Sequence, residues 1–148
     1  MGNRKEVLII IPAYNEEKTI VPVLEKLEQP EIAQIADVLV MNDASSDSTN
    51  HVTKKRKHDV VTHVFNLGYG SGLQLGYKYA VRKDYRYVIQ MDADGQHDVC
   101  NIPKIYEALK TRDENGELPD IVLGSRFMEG STDFPVSPAK KIAFMWFR

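Results

Sequence analysis

The stretch Val88-Ile-Gln-Met-Asp-Ala-Asp-Gly-Gln-His97 decides the fold class. A run of strand-forming residues ends there in two aspartates, Asp92 and Asp94, followed at once by Gly95. Side chains at strand tips of α/β proteins are fixed by the sheet yet open to solvent, so ligands bind there. Two neighbouring carboxylates repel each other unless a cation lies between them, and their oxygens suit Mg²⁺ or Mn²⁺ shared with nucleotide phosphates. The same residues also favour an ordinary β-turn, so this stretch alone leaves both interpretations open.

Apolar runs alternate with amphipathic runs along the whole chain. The pattern predicts strands over residues 6–11, 36–41, 60–65, 85–91 and 120–123. It predicts helices over residues 16–27, from 48 or 49 to about 57, from the glycine-rich 66–72 to about 83, and over 103–110. Pro12 is expected to stop the first strand, and Pro22 to mark a helix start or kink. Such alternation predicts an α/β fold with a mostly parallel, doubly wound sheet and helices on both faces.

Bulk properties limit the possible classes of protein. The 148 residues suit a single domain, and the net charge of −2 gives no electrostatic case for a nucleic-acid partner. The single cysteine, Cys100, excludes an internal disulfide and fits a reducing compartment. No segment is long enough to span a bilayer, so we expect a cytoplasmic chain, or one at the cytoplasmic face of the membrane. Residues 139–148 suit a core helix or an interfacial helix, and their position suggests one domain, 1–148, truncated at its C-terminus.

Three predicted strands end in polar clusters, which parallel strands bring to one edge of the sheet. The clusters are Pro12-Ala-Tyr-Asn-Glu16, Asn42-Asp-Ala-Ser-Ser-Asp47 and Asp92-Ala-Asp-Gly-Gln96. Asp43 can bind a base or ribose through paired hydrogen bonds. Local roles compete with this interpretation, because Asn15 or Glu16 can cap a helix, and one residue of 46–49 is expected to do so.

Two further segments leave alternatives open. Asn66-Leu-Gly-Tyr-Gly-Ser-Gly72 has glycines spaced G-x-G-x-G, not the G-x-G-x-x-G of dinucleotide-binding loops. It therefore predicts either a tight turn with close helix packing or a ligand contact. Arg126, which follows the last predicted strand, is either a solvated side chain or a partner for phosphate.

The three polar clusters, the glycine-rich loop and Arg126 follow one another along the chain in an order that resembles family 2 glycosyltransferases with the GT-A fold. The resemblance extends from residue 7 to about residue 130. The motifs most resemble the branch with dolichol-phosphate mannosyltransferase and bacterial polyprenyl-phosphate glycosyltransferases. Two positions depart from the family pattern: Asn42 stands where an aspartate is common, and Tyr69 where a lysine is frequent. The change at Asn42 leaves the neighbouring Asp43 in place, whereas the change at Tyr69 makes the glycine-rich loop less basic.

The resemblance implies a role for each matched position. Pro12, Tyr14, Glu16 and Asp43 would line the nucleoside pocket for a UDP- or GDP-sugar. Asp92 and Asp94 would hold Mg²⁺ or Mn²⁺, with Gln96 near the metal or the diphosphate. Arg126 would meet the phosphate of a lipid acceptor or the donor diphosphate, so that Asp94 and Arg126 are the expected catalytic residues.

The implied activity is metal-dependent, inverting transfer of a sugar to an acceptor, with a polyprenyl phosphate expected and contact with a membrane through the missing C-terminal part. An acceptor phosphate needs no general base, whereas a sugar hydroxyl of a cell-surface polysaccharide would need one. A nucleotide-sugar-binding module without turnover is the alternative from a different class. A sugar-phosphate nucleotidyltransferase would instead open with a glycine- and arginine-rich loop after the first strand.

Overall fold

The computed structural model describes residues 5–95 and 98–124. Two compact units divide the chain between Lys104 and Ile105. Four strands form one sheet within the first unit. The elements are, in chain order, β1 (Val7–Ala13), α1 (Ile20–Leu27), α2 (Pro30–Ala33), β2 (Ala36–Asn42), α3 (Thr49–Lys55), β3 (Asp59–Thr62), α4 (Tyr69–Arg82), β4 (Tyr87–Gln90) and α5 (Ile102–Lys110), with a 3₁₀ turn (Val99–Asn101) before α5.

The sheet is parallel throughout, with the strand order β3-β2-β1-β4. The chain steps outward from β1 to β2 and β3, and then returns to place β4 on the other side of β1. The order of strands therefore reverses between β1 and β4, which is the point where open α/β sheets bind ligands beyond the carboxyl ends of their strands. This topology confirms the predicted α/β class and its parallel sheet.

Both faces of β1 are covered. Every residue of this strand is buried, and alternate side chains of a strand point to opposite faces. Leu8 and Ile10 pack with Leu39, Met41 and Ala80 of α4 on one face. The residues between them point to the other face and are equally buried, so helices enclose the sheet on both sides.

A close approach brings α4 onto the sheet at Gly76. A Cβ atom there would lie 3.0 Å from Met41 Sδ and 3.1 Å from Ile10 Cδ1. Such distances are shorter than ordinary van der Waals contacts. The glycine thus sets how near α4 lies to β1 and β2, and this helix carries residues of the site described below.

Three predicted strand limits are wrong, each because of pairing. β1 continues through Pro12 to Ala13, since its pairing with β4 ends at Ile10 and a proline is tolerated where a strand needs no N–H donor. β3 ends at Thr62, where its pairing with β2 ends, and residues 63–65 lie outside the strand. β4 is confined to Tyr87–Gln90 rather than residues 85–91.

Residues 120–123 do not form the predicted fifth strand. Ile121 and Leu123 are 75% and 82% exposed. A strand needs a hydrogen-bonded neighbour as well as a suitable composition, and this segment has none among the described residues.

The helices follow the predictions more closely. α1 begins at Ile20, so that Pro22 lies in the first turn, where a proline is accepted. The four-residue α2 was not predicted, although its first residue, Pro30, is of the type that favours the first position of a helix. The predicted helix over residues 139–148 lies outside the described residues.

Candidate active site

A cleft of about 430 Å³ lies beyond the carboxyl ends of the strands, within the first compact unit. Its lining residues come from the segments that follow all four strands: Pro12, Ala13, Tyr14, Glu16, Asp43, Asn66, Gly68, Tyr69, Gly72, Asp92, Ala93 and Asp94. The three polar clusters therefore converge as predicted. Six of the eight predicted site residues line this one cleft, whereas Gln96 and Arg126 lie outside the described residues.

Asp43 is built into the wall of the cleft. It is 5% exposed, and its carboxylate accepts hydrogen bonds from Leu67 N at 2.9 Å and from Gly68 N at 2.7 Å. His63 Nδ1 lies 2.7 Å from Asp43 Oδ1, and since an ionised carboxylate only accepts, the imidazole nitrogen is the donor. Asp43 thus fixes the start of the glycine-rich loop by binding its backbone N–H groups.

Burial by itself would raise the pKa of Asp43. The hydrogen bonds from Leu67 N, His63 and Gly68 N act in the opposite direction and together hold the pKa below its ordinary value. The group is therefore a stable carboxylate at neutral pH. Three bonds already occupy it, so a ligand meets an acceptor whose orientation is set before binding.

The glycine-rich loop forms a tight turn and then packs closely against the sheet, which was one of the two predictions for this segment. Gly68 has φ +85°, a backbone conformation that favours glycine. A Cβ atom on Gly72 would lie 3.6 Å from Pro12 Cβ, so the first turn of α4 packs against the end of β1. Gly68 and Gly72 also line the cleft, so the position of the loop agrees with the predicted ligand contact too.

The loops that follow β1 and β2 bind each other through a set of hydrogen bonds that we call the loop clasp, formed by residues 15–17 and 45–49. Asn15 N donates to Ser45 Oγ at 3.0 Å, and Ser46 N donates in return to Asn15 Oδ1 at 2.9 Å. The other bonds of the loop clasp run from Glu16 N to Thr49 Oγ1 (2.8 Å), from Glu17 N to Asp47 Oδ2 (3.1 Å) and from Ser48 N to Glu17 Oε2 (2.9 Å).

Asp47 joins the loop clasp to the start of α3. Its Oδ1 accepts hydrogen bonds from the backbone N–H and the hydroxyl of Thr49, at 2.9 and 2.5 Å. Burial raises the pKa of Asp47, but the bonds from Thr49 and Glu17 N outweigh it and lower the pKa. Ser48, the N-cap residue of α3, makes no side-chain cap hydrogen bond, so the predicted N-cap bond is wrong. The bond to the first N–H of the helix comes from Asp47, one position earlier, and most of this polar motif serves the architecture of the loops.

Asp92 and Asp94 are less buried than Asp43. Asp92 is partly buried and Asp94 is exposed, while Ala93 between them is buried. Ala93 therefore anchors the segment, and its two neighbours reach the cleft. Among the described residues no three His, Cys, Asp or Glu side chains form a group that could hold a metal ion. Two carboxylates suit a hard cation that takes its remaining ligands from water and phosphate oxygens.

Tyr69, the first residue of α4, lies beside Asp92. Its hydroxyl donates to Asp92 Oδ1 at 2.8 Å and accepts from Gln90 Nε2 at 2.9 Å. Burial, followed by the hydrogen bond to Asp92 and the negative charge of that group, raises the pKa of Tyr69. The residue is thus a neutral donor at physiological pH.

Two residues of the site were missed from the sequence. Tyr69 departs from the family pattern but carried no predicted role, and His63 carried none either. Strand pairing could have found His63, because Asn42 lies opposite Thr62 in the sheet and the next residues on each strand are Asp43 and His63. No local signal pointed to the bond from Tyr69 to Asp92.

The fold and the cleft define a class: an α/β protein with a parallel sheet and a cleft at the reversal of strand order. Residues 8–147 match the family model for glycosyl transferase family 2, and the chain belongs to that family. This confirms the resemblance and the GT-A fold.

Known relatives share the match. The chain is 34% identical to an undecaprenyl-phosphate mannosyltransferase of Micrococcus luteus, over 84% of this chain and 49% of the relative. It is 30% identical to a dolichol-phosphate mannosyltransferase of Pyrococcus furiosus, over 84% of this chain and 34% of the relative. The chain thus spans half the length, or less, of these curated relatives.

A solved structure shows the same fold. Glucosyl-3-phosphoglycerate synthase from Mycobacterium tuberculosis, solved with Mn²⁺, UDP and glucosyl-3-phosphoglycerate, gives a TM-score of 0.51 at 20% identity. The match covers 71% of this chain and 38% of that one. Within the described part of this chain, no helix has both the length and the apolar character that crossing a bilayer requires.

Proposed function

We propose that the protein to which this chain belongs transfers a sugar from a UDP- or GDP-sugar to a polyprenyl phosphate. The observation that carries the proposal is the single cleft that gathers Glu16, Asp43 and the pair Asp92 and Asp94 from three different strand ends. Glycosyl transferase family 2 supplies the reaction type, and the relatives named for undecaprenyl phosphate and dolichol phosphate support the acceptor. Under this proposal the described cleft is the donor-binding part.

Each wall of the cleft has a task in this reaction. Pro12 at the end of β1, with Tyr14 and Glu16 from the segment after it, would contact the nucleoside together with Asp43. Asp43 suits this task because its hydrogen bonds hold it rigid and ionised before the donor arrives. A ligand that binds a preorganised acceptor does not have to order that acceptor first.

Asp92 and Asp94 would hold the divalent cation, Mg²⁺ or Mn²⁺, and Gln96 is the proposed third contact. The two carboxylates fit such an ion because they are hard oxygen donors that face the cleft from one short segment. When bound, the ion supplies positive charge that stabilises the diphosphate leaving group.

The transfer itself needs little acid–base chemistry from the protein. An oxygen of the acceptor phosphate attacks the anomeric carbon from the side opposite the diphosphate. The bond from that carbon to the diphosphate oxygen breaks, and the configuration inverts. The acceptor phosphate is already ionised, so no general base is required. Arg126 is the proposed partner for the acceptor phosphate or the leaving diphosphate.

Calorimetric titration of the chain with UDP-glucose and GDP-mannose, each with and without Mn²⁺, tests the donor site. We expect one donor to bind at least about tenfold more tightly when Mn²⁺ is present, and Asp94→Ala to remove that gain. Glu31→Ala is the matched control, because it removes one negative charge from an exposed position on α2. If neither donor binds and Asp94→Ala changes nothing, the site assignment is wrong.

A second measurement separates enzyme from binding module. The full-length protein is incubated with the donor that binds and with a polyprenyl phosphate, and lipid-linked sugar is measured. Formation of that product supports the proposal. Donor binding without product, even from the full-length protein, would favour a nucleotide-sugar-binding module, and transfer only to a glycan hydroxyl would overturn the choice of acceptor.

A further inference from the structure

Three side chains form a directed series of hydrogen bonds that ends on Asp92. Tyr77 Oη donates to Gln90 Oε1 at 2.8 Å, Gln90 Nε2 donates to Tyr69 Oη at 2.9 Å, and Tyr69 Oη donates to Asp92 Oδ1 at 2.8 Å. The amide of Gln90 accepts at one end and donates at the other. Because Tyr69 receives a hydrogen bond from that amide, its own proton is directed to Asp92.

The position of Tyr69 is itself fixed at three points. It follows Gly68, whose N–H is bound by the buried Asp43, and it begins a helix that Gly76 brings close to the sheet. The third point is Gln90, the last residue of β4, which lies two residues before Asp92. The hydroxyl therefore reaches Asp92 from a rigid helix start, and the bond joins α4 to the segment after β4.

The chemistry of the donor matters as much as its place. A phenol orients a carboxylate through a hydrogen bond but adds no positive charge, whereas an ammonium group at the same point would compete with a bound cation. The hydrogen bond from Tyr69 thus limits the rotation of the Asp92 carboxylate without placing a competing positive charge beside it. Metal binding is tighter when the coordinating side chain is already held in the orientation that it needs.

We propose that Tyr69 is a positioning residue for the metal-binding pair: held by Gln90 and Tyr77, it fixes the Asp92 carboxylate in the orientation that receives the divalent cation. This inference rests on the proposed function, since it assigns a supporting residue to the same site. The inference assigns no proton transfer to Tyr69. It makes Tyr69, which stands where the family often has a lysine, a supporting part of the metal site.

The test measures the affinity of the chain for Mn²⁺ by the enhancement of water-proton relaxation, with saturating UDP and, separately, with saturating GDP. Removing one hydrogen bond that orders a ligand, as in Tyr69→Phe, is expected to weaken Mn²⁺ binding about fivefold. Tyr77→Phe, at the far end of the series, is expected to weaken it about twofold. Binding of the nucleotide without metal is expected to stay unchanged in both variants.

Tyr79→Phe is the matched control. Tyr79 lies on the same helix, and its hydroxyl also donates to a carboxylate, Asp59 Oδ2, at 3.1 Å, but neither residue lines the cleft. This variant removes a bond of the same kind, so it is expected to change the thermal midpoint about as much as Tyr69→Phe and to leave the Mn²⁺ affinity as it is.

The outcomes separate the two proposals. If the chain binds Mn²⁺, Asp94→Ala removes that binding and Tyr69→Phe does not weaken it, the inference about Tyr69 is wrong and the proposed function stands. Equal weakening by Tyr79→Phe, or an equal loss of metal-free nucleotide binding in Tyr69→Phe, also overturns the positioning role. If the unaltered chain binds no Mn²⁺ with either nucleotide, the proposed function fails and this inference fails with it.

Discussion

The segments after β2 and β4 both bring aspartates to the same cleft, but they hold them in opposite ways. Asp43 is 5% exposed and accepts two backbone N–H groups and an imidazole. Asp94 is exposed, and Asp92, which is partly buried, accepts a phenol hydroxyl. One acid therefore stabilises the wall of the cleft, whereas the other two face its interior.

The difference shows that an aspartate at a strand end is not by itself evidence of a ligand site. A carboxylate that satisfies buried backbone donors is needed for folding, whatever else it binds. Asp92 and Asp94 instead face the cleft together, and under the proposed function a cation between them would relieve their mutual repulsion. The predictions that follow are ordered by the size of their expected effect on the free energy of unfolding.

Replacing Asp43 should have the largest effect. Asp43→Ala leaves the N–H groups of Leu67 and Gly68 without their acceptor, so we expect the free energy of unfolding to fall by about 3 kcal/mol. Urea unfolding followed by circular dichroism measures this change. A loss below about 0.5 kcal/mol would remove the distinction between the two segments.

The loop clasp gives the next largest effect. Asp47→Ala removes the acceptor for Thr49 N and Glu17 N at a partly exposed position, and an expected loss of about 1.5 kcal/mol follows. Ser46→Ala is the control: it keeps the bond from Ser46 N to Asn15 and removes only a hydroxyl contact of 3.3 Å. Equal urea midpoints for the two variants would contradict a structural role for Asp47.

Acid should act on the β2 segment in particular. The pKa of Asp43 is lowered in the folded chain, so its contribution to stability is complete above the pKa of an unfolded aspartate, at roughly pH 4. That contribution is lost as the pH falls further, through the lower folded-state pKa. Urea midpoints measured between roughly pH 5 and pH 2 should therefore fall less in Asp43→Asn than in the unaltered chain. Parallel curves would show that Asp43 contributes nothing to the acid sensitivity.

Asp94→Ala should have the smallest effect on stability. The side chain is exposed, so we expect a change within about 0.5 kcal/mol. The same variant is expected to weaken Mn²⁺-dependent donor binding at least about tenfold, which corresponds to about 1.4 kcal/mol of binding free energy. A variant that unfolds easily would place Asp94 with Asp43 among the structural acids.

The sequence predicted the fold class and the meeting of three clusters because both depend on order along the chain. Alternating strands and helices imply parallel pairing, and parallel pairing brings Glu16, Asp43 and Asp94 to one edge. The limits of β1 and β3 were wrong because they depend on where a neighbouring strand ends. The strand predicted at 120–123 failed for a related reason, since composition alone cannot supply a partner.

The side-chain partners could not be predicted in the same way. The bonds from Tyr69 to Asp92 and from His63 to Asp43 join residues at least 20 positions apart. The first depends on how closely α4 packs on the sheet, and the second on the register between β2 and β3. The polar run 45–49 illustrates the converse. Its composition predicted an N-cap, but Ser48 at that position makes no side-chain cap hydrogen bond, and only the structure shows that these residues bind the loop after β1.

The loop clasp has a consequence for the dynamics of the cleft. Its donors and acceptors alternate between residues 15–17 and residues 45–49, so neither loop can move away without breaking the bonds of both. Amide protons that share such an opening are expected to exchange with one common free energy of opening, as parts of one cooperative unit. The side of the cleft that carries Tyr14 and the side that carries Asp43 are therefore expected to move together.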